Sequence, residues 1–263
     1  MTNRFFYYGS SILTLFKGVK NIFALVRLAT RQPNDDPIEI RLRDSERFYV
    51  SSLMDAWIIK ETVLDRTYEA VSVPLQPDWL VVDIGAALGD YAVWAGRQLT
   101  NGRLIAIEPF PRSVKLLKEN LRLNRVNNVS VTETAIGAVD GQSGLQLVTG
   151  QAVQHSTAAS SAAAGSMPVR VRSLPSFFRE MNIDSCDYLK IDCEGAEYDI
   201  LFNCPPIFLQ KIKRICMEVH DQITPHSHQE MIAFLEKNGY CTRLTLNPVH
   251  DDLAYLFAER QAA

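Results

Sequence analysis

Apolar residues in the middle of the chain come as short unbroken runs. WLVVDIG (79–85), RLIAIE (103–108), NVSVTE (128–133), DYLKID (187–192) and KRICMEV (213–219) read as strands of a protein interior. Between them lie stretches with helical spacing. YAVWAGRQL is one. PRSVKLLKENLRLN is another, with Pro111 near its first turn, where a missing N–H costs little. HQEMIAFLEKNG closes on Gly239, a helix-ending residue. YCTRLTL and DDLAYLFAE at the end read as an antiparallel pair. Strand and helix alternate, which predicts an α/β fold with a mostly parallel sheet and helices on both faces.

The front of the chain has a different rhythm. Ile12, Leu15, Phe16, Val19, Ile22, Phe23 and Val26 recur at three and four, the mark of an amphipathic helix. Its apolar face is expected to pack on the domain or on a second subunit, with peripheral membrane contact as the alternative. RQPNDDP is a linker, IEIRLRDSERFYV alternates around a turn as a hairpin does, and DAWIIKETVLDRTYEAV reads as a helix. Pro74 and Pro77 mark a boundary, so residues 1–77 form an extension and residues 78–263 the α/β domain. QHSTAASSAAAGS (154–166) is small and polar without periodicity, a mobile connection or a lid.

Composition narrows the function. The chain has 263 residues, 47% of them hydrophobic, enough for one large domain with an appendage. A net charge of −3 gives no general reason to bind nucleic acid. Five cysteines without a CxxC pair fit free thiols in a reducing cytoplasm. Lys17, Lys20 and Arg27 interrupt the apolar N-terminus, so no run reaches the roughly 18–20 residues that span a bilayer. It also lacks the cleavage site of a signal peptide.

VVDIGAALGDYAVWAG puts Asp83, Gly85 and Gly89 between a strand and a helix. Glycine there allows a sharp turn and close approach of a ligand. The spacing is not G-x-G-x-x-G, and an acid just before the first glycine would repel a diphosphate. Asp83 suits a cation instead. Glu108 ends the next strand, where a carboxylate can accept hydrogen bonds from both ribose hydroxyls. A cationic group and a ribose together describe S-adenosylmethionine.

The segments VVDIGAALGDYAVWA, IAIEPFPRSVKLLKENLRLN, VRSLPSF, DYLKIDCEGAEYDIL and MEVH (217–220) resemble the FkbM family of class I S-adenosylmethionine-dependent methyltransferases. The resemblance covers roughly residues 38–260. It implies a seven-stranded Rossmann-like sheet with an antiparallel C-terminal strand, and methyl transfer, usually to oxygen. It also implies cofactor contacts from Asp83, Gly85, Ala86, Gly89, Tyr91, Glu108, Pro109, Ala135 and Asp192. Ala87 stands where a glycine is common in such enzymes, and its methyl is small enough to be tolerated.

Ligands in open α/β sheets lie beyond the carboxyl ends of the strands. Asp192 ends one strand; Glu218 and His220 end the next. Glu194 and Gly195 form a turn, and AEYDILF continues as a helix with Glu197 in its first turn and Asp199 toward solvent. An acceptor hydroxyl must lose a proton, so His220 or Asp192 is expected as base, with Glu194 and Glu218 binding substrate hydroxyls or the cofactor's amino end. His226 and His228 read as a helix start. The acids with His220 have the donor types of a metal site, but the spacing does not demand a metal. The leading reading is O-methylation of a small molecule or glycan. An NAD- or nucleotide-sugar-dependent oxidoreductase and a non-catalytic binding module are the alternatives. Self-association through the first helix is a further expectation.

Overall fold

The computed structural model describes residues 2–30, 36–145, 167–221, 224–250 and 252–261. Helices α1 (Thr2–Gly18) and α2 (Phe23–Ala29) come first. The single helix expected there is broken at Val19–Asn21, where Lys20 N–H donates to the Arg41 carbonyl and Val19 bridges to Leu42. The hairpin is present as β1 (Ile38–Arg41) and β2 (Arg47–Val50). The next helix is also broken. It consists of α3 (Leu53–Ile59), capped reciprocally by Ser52 and Asp55, a π-helical turn over Lys60–Leu64, and α4 (Thr67–Val71). Arg66, left-handed at φ 53°, makes the break before α4.

The apolar runs form the sheet. In chain order follow β3 (Leu80–Ile84), α5 (Asp90–Gln98), β4 (Arg103–Ile107), α6 (Pro111–Leu123) and β5 (Val129–Thr132). Three short strands, β6 (Ala135–Gly137), β7 (Gly141–Leu145) and β8 (Met167–Ser173), make a separate small sheet. Then come α7 (Leu174–Glu180), β9 (Tyr188–Ile191), α8 (Glu197–Phe202), α9 (Pro206–Leu209), β10 (Arg214–His220), α10 (His228–Lys237), β11 (Tyr240–Leu246) and β12 (Leu253–Arg260). His228 opens α10 behind a capping box of Ser227 and Glu230. The 154–166 segment lies outside the described residues.

The main sheet has seven strands in the order β11-β12-β10-β9-β3-β4-β5. β12, between β11 and β10, points against the other six strands. The chain leaves β3 toward β4 and β5, then returns to build β9 and β10 on the other side. The β3–β9 seam is therefore a topological switch point, the place where such sheets bind ligands. Alternation along the strands feeds two cores. Val81, Leu104 and Tyr188 pack with α5, α6 and the N-terminal elements. Val82, Ile84, Leu189 and Ile191 pack with α7, α8 and α10. Each fully buried Val, Leu or Ile contributes about 1.5–3 kcal/mol, so the strand tips are held by a large apolar interior. Phe48 and Ile40 of the hairpin belong to the first core, which joins the extension to the sheet.

The N-terminal helices dock by only part of the predicted stripe. Val19 is buried and Leu15 packs on the first core, with Ser11, Ala24 and Leu28 buried as well, whereas Ile12, Phe16, Phe23 and Val26 are exposed. No helix among the described residues is long and apolar enough to cross a membrane.

The seam leaves no room at Gly85. Its φ is +81°, and a Cβ there would lie 1.7 Å from the Asp192 carbonyl oxygen. Gly85→Ala should therefore cost about 3 kcal/mol or more, from left-handed strain and the clash together. Urea unfolding measures this, and a loss under about 1 kcal/mol would show that the seam gives way freely.

Candidate active site

A cavity with an empty volume of about 800 Å³, its open mouth included, lies over the tips of β3, β4 and β9. Its walls are apolar at Ile84, Ile107 and Ile136, and polar at Asp90, Glu108, Lys190, Asp192 and Glu194. Ile58 of α3 closes one side, so the N-terminal extension contributes to the wall.

Of the residues expected at the cofactor, Gly85, Glu108, Pro109, Ala135 and Asp192 line this cavity. Asp83, Ala86, Gly89 and Tyr91 are buried outside its lining. Gly89 turns the chain at φ +86° into α5 and lies close against Leu117 of α6. Tyr91 packs edge-on against Tyr68. Glu108 is fixed at both oxygens, with Oε2 accepting from Ala87 N–H (3.0 Å) and Oε1 from Phe110 N–H (2.8 Å). Ala87 holds φ +43°, which is the conformational reason a glycine would suit that position.

Asp83 faces a cation, but the cation is Lys190. The two are cross-strand partners on β3 and β9, and Nζ lies 3.0 Å from Oδ1. Both side chains are buried, at 0% and 3% exposure. Lys190 also stands 3.7 Å from Asp192, 3.4 Å from the Gly85 carbonyl, and over the rings of Tyr68 and Tyr91. Tyr68 of α4 donates its hydroxyl proton to Asp192 Oδ2 at 2.7 Å.

The second group of residues lies at the ends of β9 and β10. Glu194 sits at φ +52° in a turn completed by Gly195, a strained backbone for a side chain with a Cβ. Its Oε2 is 3.5 Å from His220 Nε2. The other ring nitrogen, Nδ1, is 3.0 Å from Glu197 Oε1. Glu197 is wholly buried, and the same oxygen accepts from Cys193 N–H at 3.0 Å. Asp199 on the same helix is exposed. Asp192, Glu218 and His220 each bring one ligand-type atom to within 4.8 Å of the others.

The family model described as "Methyltransferase FkbM domain" matches residues 83–241, more than half of the chain and every cavity-lining residue except Ile58. The chain belongs to the FkbM methyltransferase family. Curated relatives match at low identity. Methyltransferase 1 of Beauveria bassiana is 24% identical over 205 residues, covering 70% of this chain and 82% of that protein. The AMB antimetabolite synthetase AmbE of Pseudomonas aeruginosa is 22% identical over 240 residues, and the match covers only 11% of that much longer protein. Among solved structures, the fibrillarin pre-rRNA processing protein of Methanococcus jannaschii superposes with a TM-score of 0.51 at 12% identity, covering 89% of this chain and 86% of that one, a likeness of fold alone.

The cofactor of this FkbM-family methyltransferase is S-adenosylmethionine. The cavity's donor set fits it. Four carboxylates, Asp90, Glu108, Asp192 and Glu194, face the space with one ammonium, Lys190. That balance favours a cationic ligand and opposes a diphosphate. Glu108 lines the cavity at the end of β4 and would hold the ribose hydroxyls of a bound cofactor, with Ile107, Ala135 and Ile136 as apolar walls.

Burial and neighbours set the charge states. Burial pushes Glu108 up to about 7, with the N–H groups of Phe110 and Ala87 acting against it. Burial raises Asp90 to about 6. Burial and the Asp192 charge raise Glu194 to about 7. They also hold Glu218 well above the carboxylate range. Burial alone would lower Lys190, but Asp83, Asp192 and Asp90 outweigh it and hold the ammonium above its ordinary value. His220 follows the same logic. Burial disfavours its charge, but the Glu197 hydrogen bond and the charges of Glu197, Glu218 and Asp192 raise it to about 10.

The hydrogen bond to Glu197 and the surrounding carboxylates favour the imidazolium form of His220 near neutral pH, which has no lone pair to accept a proton and weighs against the expectation that it serves as base. A metal ion at Asp192, Glu218 and His220 would first have to displace that proton. Sequence reasoning missed Lys190, Tyr68 and the anchoring role of Glu197. A lysine inside an otherwise apolar strand, one strand from a buried Asp83, was the available signal for Lys190. Tyr68 gave none.

Lys190→Met would leave Asp83 buried without its cation. A loss of about 3–5 kcal/mol in urea unfolding near neutral pH is expected. The loss should shrink as pH falls, because a protonated Asp83 no longer needs a partner. A pH-independent loss under about 1 kcal/mol would contradict the pairing.

Proposed function

We propose that this protein transfers the methyl group of S-adenosylmethionine to a hydroxyl oxygen of a small molecule or glycan, with Glu194 as general base. When bound, the cofactor supplies an electrophilic methyl group on a sulfonium. The residues of the chain then have two tasks: to aim the acceptor oxygen and to take its proton.

The observation that carries this reading is the placing of Glu194. It lines the cavity, sits on a strained turn, and has a proton affinity raised to about 7. A base with that affinity is matched to neutral conditions, while an ordinary carboxylate is too weak to help much. His220, charged and fixed by the buried Glu197, orients Glu194 from behind. Asp192 accepts from Tyr68 and faces Lys190, which suits it to hold an acceptor hydroxyl or the cofactor's amino end better than to receive a proton. Glu218, whose proton affinity is raised by burial and the Asp192 charge, stands beside Asp192 and His220 at the rim of this group.

Glu194→Gln should lower kcat by about 10²–10⁴-fold on cofactor-saturated enzyme, with the fold intact by circular dichroism. Base action needs the carboxylate form, so wild-type kcat should rise with pH, half-maximal at about 7, and level off above it, with no such limb in the variant. The positive charge of a bound sulfonium acts to move that limb to lower pH. A screen of hydroxylated acceptors, read by mass as the gain of one CH₂, supplies the assay. A variant within about threefold of wild type would place the base elsewhere.

A further inference from the structure

Much of the apolar stripe of the N-terminal helices is left over when the fold is accounted for. The described residues hold eleven exposed large hydrophobic side chains, and eight of them lie between Tyr8 and Met54. On α1 they are Tyr8, Ile12, Leu13 and Phe16, spaced so that Tyr8, Ile12 and Phe16 share one face. On α2 they are Phe23, 80% exposed, and Val26, 61% exposed. Leu53 and Met54 extend the set onto the first turn of α3, which packs against α2. Scattered exposed apolar residues are ordinary, but a concentration of this kind on adjoining helices marks a surface that something covers.

Charge says what covers it. Residues 1–34 hold five Lys and Arg and no Asp or Glu, while the rest of the chain has 22 Lys and Arg against all 30 acids. The cations flank the apolar positions. Lys17 follows Phe16, Lys20 stands in the break between the helices, and Arg27 follows Val26, all of them exposed. A second copy of the chain meeting this face about a two-fold axis would bring the same cations together with no acid from residues 1–34 to offset them. An anionic bilayer surface has the opposite charge and an apolar layer just beneath it.

We infer that α1, α2 and the first turn of α3 form an interfacial membrane-binding face, in which Phe16 and Phe23 enter the headgroup–acyl boundary while Lys17, Lys20 and Arg27 contact anionic lipid headgroups. The helices lie in the plane of the interface and do not span it. Attachment is reversible and weakens with salt, because part of it is screened charge.

Sedimentation of the full chain with vesicles tests this. The protein should pellet with mixed phosphatidylcholine–phosphatidylserine vesicles, much less with pure phosphatidylcholine, and less again at high salt. Phe16→Ser with Phe23→Ser, and separately Lys17→Glu with Lys20→Glu, should each weaken binding about tenfold or more. Helix content and cofactor binding should be unchanged, since none of these residues lines the cavity. Failure of the wild type to bind anionic vesicles would overturn the inference, as would binding indifferent to both double variants. A lipid-free dimer seen by light scattering that Phe16→Ser with Phe23→Ser dissociates would also overturn it, by assigning the face to a second copy.

Discussion

The site depends on a lysine and an aspartate buried side by side in the middle of the sheet. Asp83 and Lys190 are register partners across the β3–β9 seam. Removing two such charges from water costs several kcal/mol per ion, and their attraction repays this only in good geometry. Here the ammonium has further partners. Asp192, the Gly85 carbonyl and the faces of Tyr68 and Tyr91 surround it. Lys190 therefore ties together β3, β9, α4 and α5 at the point where the sheet reverses its winding. With Asp83 neutralised from inside, the remaining carboxylates are free to give the cavity its negative character.

A similar economy shapes the far end of the site. Glu197 is a wholly buried carboxylate that holds His220, and His220 in turn stands beside Glu194. A buried anion stabilises an imidazolium, and the imidazolium is placed beside an acid whose own proton affinity is raised. Three titratable groups from the β9–α8 turn, α8 and β10 thus form one chain. Its outermost member faces the cavity. Functional carboxylates differ in role because their surroundings differ. Glu108 is held by two backbone N–H groups, Asp192 by a tyrosine and a lysine, and Glu194 by a charged histidine.

The sheet was legible because its strands are continuous apolar runs, which only a doubly covered sheet explains. Asp192, Glu194, Glu218 and His220 were legible as strand-tip residues for the same reason. Roles were harder to read. Glu197 looked like a helix-start carboxylate, and nothing local says that it is buried against a histidine 23 residues later. Tyr68 reaches Asp192 across 124 positions of sequence. The small sheet of β6, β7 and β8 was missed because strands such as Gly-Gln-Ser-Gly-Leu carry little β pattern. At the N-terminus the helical period was real, but the break at Val19–Asn21 divided it between two helices. Ser11, Ala24 and Leu28 took the inward positions.

The carboxylate-rich lining of the cavity favours a sulfonium and opposes a pyrophosphate. Titration calorimetry of the full chain with S-adenosylmethionine and with NAD compares the two ligands directly. Saturable one-to-one binding of S-adenosylmethionine with no heat from NAD is the predicted result. Tight binding of NAD, with none of S-adenosylmethionine, would contradict it.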